Sequence, residues 1–104
     1  MADALWHSVR LLQRRADELY GRLEAERAML WFVEEVGELA RAVRKHDLDN
    51  ISEELGQVFV WTLCLANILS VPLDAAALAA WEDEHARQLA KYGHIRPYGL
   101  GGDA

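Results

Sequence analysis

Four stretches of this chain carry apolar residues three and four apart, the spacing that gathers side chains on one face of an α-helix. None shows the period-two alternation of a half-buried strand. The first stretch predicts a helix from Asp3, as N-cap, to about Leu23, with Leu5, Val9, Leu12, Ala16, Leu19 and Leu23 as its stripe and Gly21 near its end. A second helix is expected from about Glu26 to Lys45, closing on Arg44-Lys45, which suits the negative end of a helix dipole. After His46 to Asp49 as a short loop, Asn50 is placed to cap a third helix over 51–70, with Glu53 completing a capping box. Pro72 interrupts the pattern, Asp74 is the expected cap of a fourth helix through 75–92, and Gly93 stops it. Residues 1–93 thus form a single all-α domain, and 94–104, with Pro97, Gly99, Gly101 and Gly102, are expected to be a flexible tail.

Short connections imply an antiparallel hairpin at the centre of the chain. The third helix is apolar nearly all round from Val58 onward, which marks a helix buried on several sides. Three neighbours in so small a chain do not cover that much surface. A four-helix chain that completes its bundle by oligomerisation is the expected architecture.

Two seams inside these helices depart from the apolar pattern. On the second helix, Ala28, Trp31, Glu35, Glu38 and Ala42 follow one another at three- and four-residue steps. On the third, Glu54, Gln57, Trp61, Cys64 and Ile68 do the same. Acids thus occupy slots where a packing stripe wants apolar groups, and burying a carboxylate is costly unless a cation or hydrogen bonds compensate. Ion pairs with Arg27, Arg41 or Arg44 could absorb these acids. If the seams face each other, however, three carboxylates and an amide oxygen converge, and like charges that close call for a bridging cation. An all-oxygen ligand set suits Mg²⁺ or Mn²⁺ rather than zinc. Trp31 and Trp61 each lie one turn from an acid slot, where they either pack the core or stack a nucleobase; Asn67 is either a satisfied core amide or a contact to base or sugar.

The string Glu34-Glu35-Val36-Gly37-Glu38-Leu39-Ala40, followed by Glu53-Glu54-Leu55-Gly56-Gln57-Val58, resembles the EExxE…ExxD signature of the MazG-like, all-α nucleoside triphosphate pyrophosphohydrolases. Leu65-Ala66-Asn67-Ile68-Leu69 and Val71-Pro72-Leu73-Asp74 resemble that family's third-helix end and the turn after it, so the likeness spans about residues 28–92. The resemblance implies an oligomeric MazG-like helical bundle, a homodimer or homotetramer. It implies Mg²⁺ or Mn²⁺ held by Glu35, Glu38 and Glu54 with Gln57 as fourth ligand, and Glu34 positioning or deprotonating the attacking water. The implied reaction converts a nucleoside triphosphate, or a modified deoxynucleoside triphosphate, to the monophosphate and pyrophosphate, as in house-cleaning of the nucleotide pool. Three positions depart from the family pattern: Gln57 replaces an Asp, and Ala80 and Glu84 stand where a phosphate-facing Lys and Asn are usual. A degenerate, non-catalytic oligomer that binds nucleotide or a protein partner is the alternative these departures leave open.

Composition narrows the field further. A length of 104 residues bounds the chain to one domain, and 52% hydrophobic residues exclude a disordered one. Eleven basic against seventeen acidic residues, a net −6, disfavour nucleic acid as a partner. The single cysteine, Cys64, excludes an internal disulfide and suits a reducing compartment. No secretory leader pattern and no uncharged run of membrane-spanning length is seen, so a cytoplasmic location without a membrane partner is expected. His7, His46, His85 and His94 lack zinc-ligand spacing, and no glycine-rich phosphate loop occurs.

Overall fold

A computed structural model describes residues 2–99, apart from the side chains of residues 2, 3 and 5. It contains four helices, α1 (Ala2–Tyr20), α2 (Ala25–Arg44), α3 (Leu48–Ile68) and α4 (Leu73–Tyr92), and no strand among the described residues. α1 already includes Asp3, which was expected to precede it as N-cap, while the Leu5 side chain of the expected stripe and residues 100–104 of the expected tail lie outside what is described. Among the described residues, no single helix is long and apolar enough to cross a membrane.

The helix ends differ from the sequence-based expectation in ways local chemistry explains. The first helix stops at Tyr20 rather than Leu23, because Gly21 turns into the left-handed region at φ 66°, a conformation that glycine adopts without steric cost. Asn50 does not cap α3. Asp47 does, its carboxylate accepting the Asn50 backbone N–H at 3.2 Å, so the helix begins one turn earlier than expected. Asp74 likewise does not cap α4, which follows Pro72 without a side-chain cap. Its carboxylate instead takes Arg10 of α1 in a 2.7 Å ion pair. Arg10 and the Ala75 backbone N–H hold that buried carboxyl below the usual aspartate range.

The α3–α4 corner is fixed to α1 by three further polar bonds. Gln13 donates from Nε2 to the Val71 carbonyl at 2.8 Å and accepts the Leu73 N–H at 3.0 Å. Asn67 donates from Nδ2 to the Gln13 carbonyl at 2.8 Å. The two Gln13 side-chain bonds satisfy backbone groups that a proline break would otherwise leave unpaired, and the Asn67 bond ties the end of α3 to the α1 backbone.

The helices do not close into a compact bundle. α2 packs on α3, α1 packs on α3 and α4, and α3 and α4 meet at 112°. The radius of gyration is 16.4 Å, against about 13 Å for a compact domain of this length. Its core centres on Ala16, Leu63 and Cys64, with Val60, Trp61 and Leu73 packed against them. The stripe expected on α1 is only partly covered: Ala16 is buried, but Leu12 and Leu23 are open to solvent and Leu19 is 75% exposed. Leu48, Leu55 and Phe59 of α3 and Leu30 and Val33 of α2 are exposed as well.

Candidate metal centre

The two acid-bearing seams do face each other. α2 and α3 form an antiparallel hairpin whose tight approach is permitted by small residues on α2, Ala28 at 0% and Ala42 at 2% exposed. Between those alanines the seam carries Trp31, Glu35 and Glu38. Trp31 meets Trp61 of α3 edge to face, with centroids 5.8 Å apart and planes at 83°, a favoured arrangement for aromatic quadrupoles.

One turn further along, Glu35, Glu38 and Glu54 bring a carboxylate oxygen each within 4.8 Å of one another. Glu35 and Glu54 are partly buried and Glu38 is exposed. No ion pair reaches them among the described residues: Arg27, Arg41 and Arg44 all leave these acids unpaired. The Glu54 Oε2 atom is buried without a hydrogen-bond donor. A carboxyl–carboxyl hydrogen bond with Glu35, which requires a shared proton, pushes the Glu54 carboxyl above the ordinary glutamate range; loss of solvent and repulsion from the Glu35 charge act in the same direction. Three clustered carboxylates, one with an orphaned buried oxygen, fit a hard divalent cation, whose preferred donors are oxygens.

The other residues singled out in the sequence take up distinct places. Gln57 is exposed and lines a cleft of 270 Å³ with Trp31, Trp61 and Cys64, to which Tyr20 and Leu23 also contribute. Glu34 is exposed on α2 and is not one of the three clustered acids, but it stands four residues before Glu38 and so flanks that carboxylate on the helix surface. Asn67 is buried with its amide nitrogen committed to Gln13, and it lines a different cleft alongside Arg10, Arg14 and Asp74. Ala80 and Glu84 lie on α4, whose packing partner is α1. Glu84 is held by Arg87 at 2.6 Å, with Gln88 and Tyr98 also donating to it, and its carboxyl is pushed down to about 2.

A further group was not legible as a site in the sequence. Arg41, Lys45 and Asn50 line a second cleft together with Glu38 and Glu54, on the side of the carboxylates away from the tryptophans. Continuing the α2 seam past Glu38 in steps of three and four would have reached Arg41 and Lys45.

No curated protein and no solved structure matches the chain. The model of the MazG nucleotide pyrophosphohydrolase domain matches residues 23–92, which takes in α2, α3 and α4 with both carboxylate seams. This match covers more than half of the chain and coincides with the elements that build the acid cluster, so the chain belongs to the MazG nucleotide pyrophosphohydrolase domain family.

Proposed function

We propose that this protein hydrolyses a nucleoside triphosphate, or a modified deoxynucleoside triphosphate, to the monophosphate and pyrophosphate. The observation that carries this reading is the convergence of Glu35, Glu38 and Glu54 within 4.8 Å beside an aromatic cleft, with one buried oxygen lacking a donor. These three carboxylates would hold Mg²⁺ or Mn²⁺, and Gln57 would offer a neutral oxygen as the fourth ligand. A divalent cation there supplies charge neutralisation for the phosphates. Trp31 and Trp61 flank the cleft in which a base would stack. Glu34 would orient a water toward a phosphorus of the α–β anhydride and take its proton; the bond to the leaving phosphate breaks and pyrophosphate departs. Asn67 would serve this arrangement from a distance, by fixing α3 on α1 through Gln13.

The working form would be a homodimer or homotetramer. The open shape and the number of large apolar side chains left exposed, Leu19, Leu30, Val33, Leu48, Leu55 and Phe59 among them, support this, since further burial of such surface is favourable. A non-catalytic reading also has an observation in its favour: Gln57 brings no charge, and Glu84 is spent on Arg87, Gln88 and Tyr98. Pyrophosphate release from a panel of standard and modified nucleoside triphosphates, with Mg²⁺ or Mn²⁺ and with chelator, tests the proposal. Metal-dependent release supports it; silence across the panel from folded, metal-loaded protein favours the binding-only reading.

A further inference from the structure

The α2–α3 seam has two ends of opposite chemistry. Along α2 the order is Trp31, Glu35, Glu38, Arg41, Lys45; along α3, read in reverse, it is Trp61, Gln57, Glu54, Asn50. The tryptophan end opens into the 270 Å³ apolar cleft. The other end is a 210 Å³ cleft in which Glu38 and Glu54 share the walls with Arg41, Lys45 and Asn50. At ~1.5 Å of rise per residue, the run from Glu38 to Lys45 extends ~10 Å beyond the acid cluster.

The state of the two cations is informative. Arg41 stands three residues after Glu38, a spacing at which acid and base pair on a helix surface. The ion pairs among the described residues are nevertheless Arg10–Asp74, Arg22–Asp17 and Arg87–Glu84. Arg41 and Lys45 therefore keep their donors available beside a carboxylate cluster built for a cation. Two positive side chains next to a cation site repel the ion that the site attracts. A polyanion spanning both regions removes that conflict. The backbone adds to it: the last turn of α2 is the negative end of its dipole, but the first turn of α3, which holds Asn50, presents a positive end to the same cleft.

We propose that Arg41 and Lys45, with Asn50, form the subsite for the terminal phosphates of the substrate, the part that leaves as pyrophosphate. This fixes the direction of the nucleotide along the seam. The base lies in the cleft that Trp31 and Trp61 line, the α-phosphate lies over the carboxylates, and the leaving group points toward the C-terminal end of α2. The assignment rests on the hydrolase reading for the name of the leaving group, but the subsite itself is a binding claim. Arg is well suited to bidentate phosphate contacts, and Lys to a point charge beside them.

Calorimetric titration of the full chain with inorganic pyrophosphate in Mn²⁺, and with Mn²⁺ alone, separates the possibilities. The variants are R41A/K45A, each single substitution, and R44A, which removes a charge from the same helix turn outside the cleft. Pyrophosphate affinity should fall at least tenfold in R41A/K45A, while Mn²⁺ alone binds as tightly as in the parent or tighter. R44A should behave as the parent in both titrations. The proposal is overturned if the parent binds no pyrophosphate, if R41A/K45A binds it as the parent does, or if R44A weakens it equally. Turnover is scored separately. An inactive parent whose pyrophosphate binding still depends on Arg41 and Lys45 keeps the subsite and removes the hydrolase; an active parent indifferent to both substitutions does the reverse.

Discussion

Replacing Glu54 by Gln should change the sign of the stability difference according to whether metal is present. Without a cation the parent holds three carboxylates within 4.8 Å, and Glu54 Oε2 is buried with no donor. The amide of E54Q is close in shape, carries no charge and can donate to Glu35. In chelator at neutral pH the variant should therefore melt above the parent. With Mn²⁺ the order reverses. A ligand that binds only the folded state at 100 times its Kd adds about 2.7 kcal/mol. A domain of this size moves ~4–8 °C per kcal/mol, so the parent should gain ~10–20 °C. E54Q, with one of three charged ligands gone, should gain far less. The pH dependence without metal has a definite sign. The Glu54 carboxyl titrates above its ordinary value of 4.5, so its favourable contribution is complete below that value and is lost as pH rises through the elevated one. E54Q should be flat across that window. Thermal melts at one fixed protein concentration, in chelator and in saturating Mn²⁺, read all of this. An E54Q that is less stable in chelator, or that responds to Mn²⁺ as the parent does, would refute the reasoning.

Gln57→Asp restores a charge next to the cluster and should tighten Mn²⁺ binding and raise pyrophosphate release by roughly tenfold, which corresponds to about 1.4 kcal/mol of transition-state stabilisation; steady-state kinetics with equal or lower release would count against Gln57 as a ligand. Glu84 titrates at about 2 because Arg87, Gln88 and Tyr98 hold it, so the contact between α4 and Tyr98 should persist above pH ~4.5 and be lost as pH falls toward 2. Tyr98 fluorescence in a Trp-free background or proton chemical shifts would follow it, and an E84Q variant should show no such transition. Sedimentation should find a dimer or larger species, because the open fold leaves Leu19 and Leu48 at 75% and 78% exposure; a well-folded monomer at micromolar concentration contradicts this.

The seams were legible because helical period is a strict constraint: once Trp31, Glu35 and Glu38 share a face and Trp61, Gln57 and Glu54 share another, one antiparallel contact brings acids to acids and tryptophan to tryptophan. The caps were harder. Asp47, Asp49 and Asn50 are all competent N-caps within four residues, and only the path of the loop decides that Asp47 accepts the Asn50 N–H. Asp74 has a good capping composition, but it also lies within reach of Arg10, sixty-four residues away in the chain, and an ion pair of that span has no local signal. The α1 stripe shows the same limit from the other direction. Its period was correct, yet exposure of Leu12, Leu19 and Leu23 depends on which stretches of α1 its neighbours α3 and α4 cover, and no local pattern encodes that. Lys45 read as a charge closing the second helix and Arg41 as a possible ion-pair partner of the acids; only the approach of Asn50 and Glu54 from the next helix makes them walls of a cleft.

The central question is whether the α2–α3 carboxylates hold a cation for phosphate chemistry. The most direct measurement is pyrophosphate release by the parent and Glu38→Gln side by side, titrated with Mn²⁺ over a nucleoside triphosphate panel, with circular dichroism to confirm that both are folded. A cation-holding cluster gives Mn²⁺-dependent release by the parent for at least one nucleotide, and loss of most of it in E38Q. Release that persists undiminished in E38Q, or a folded parent that releases none, would contradict it.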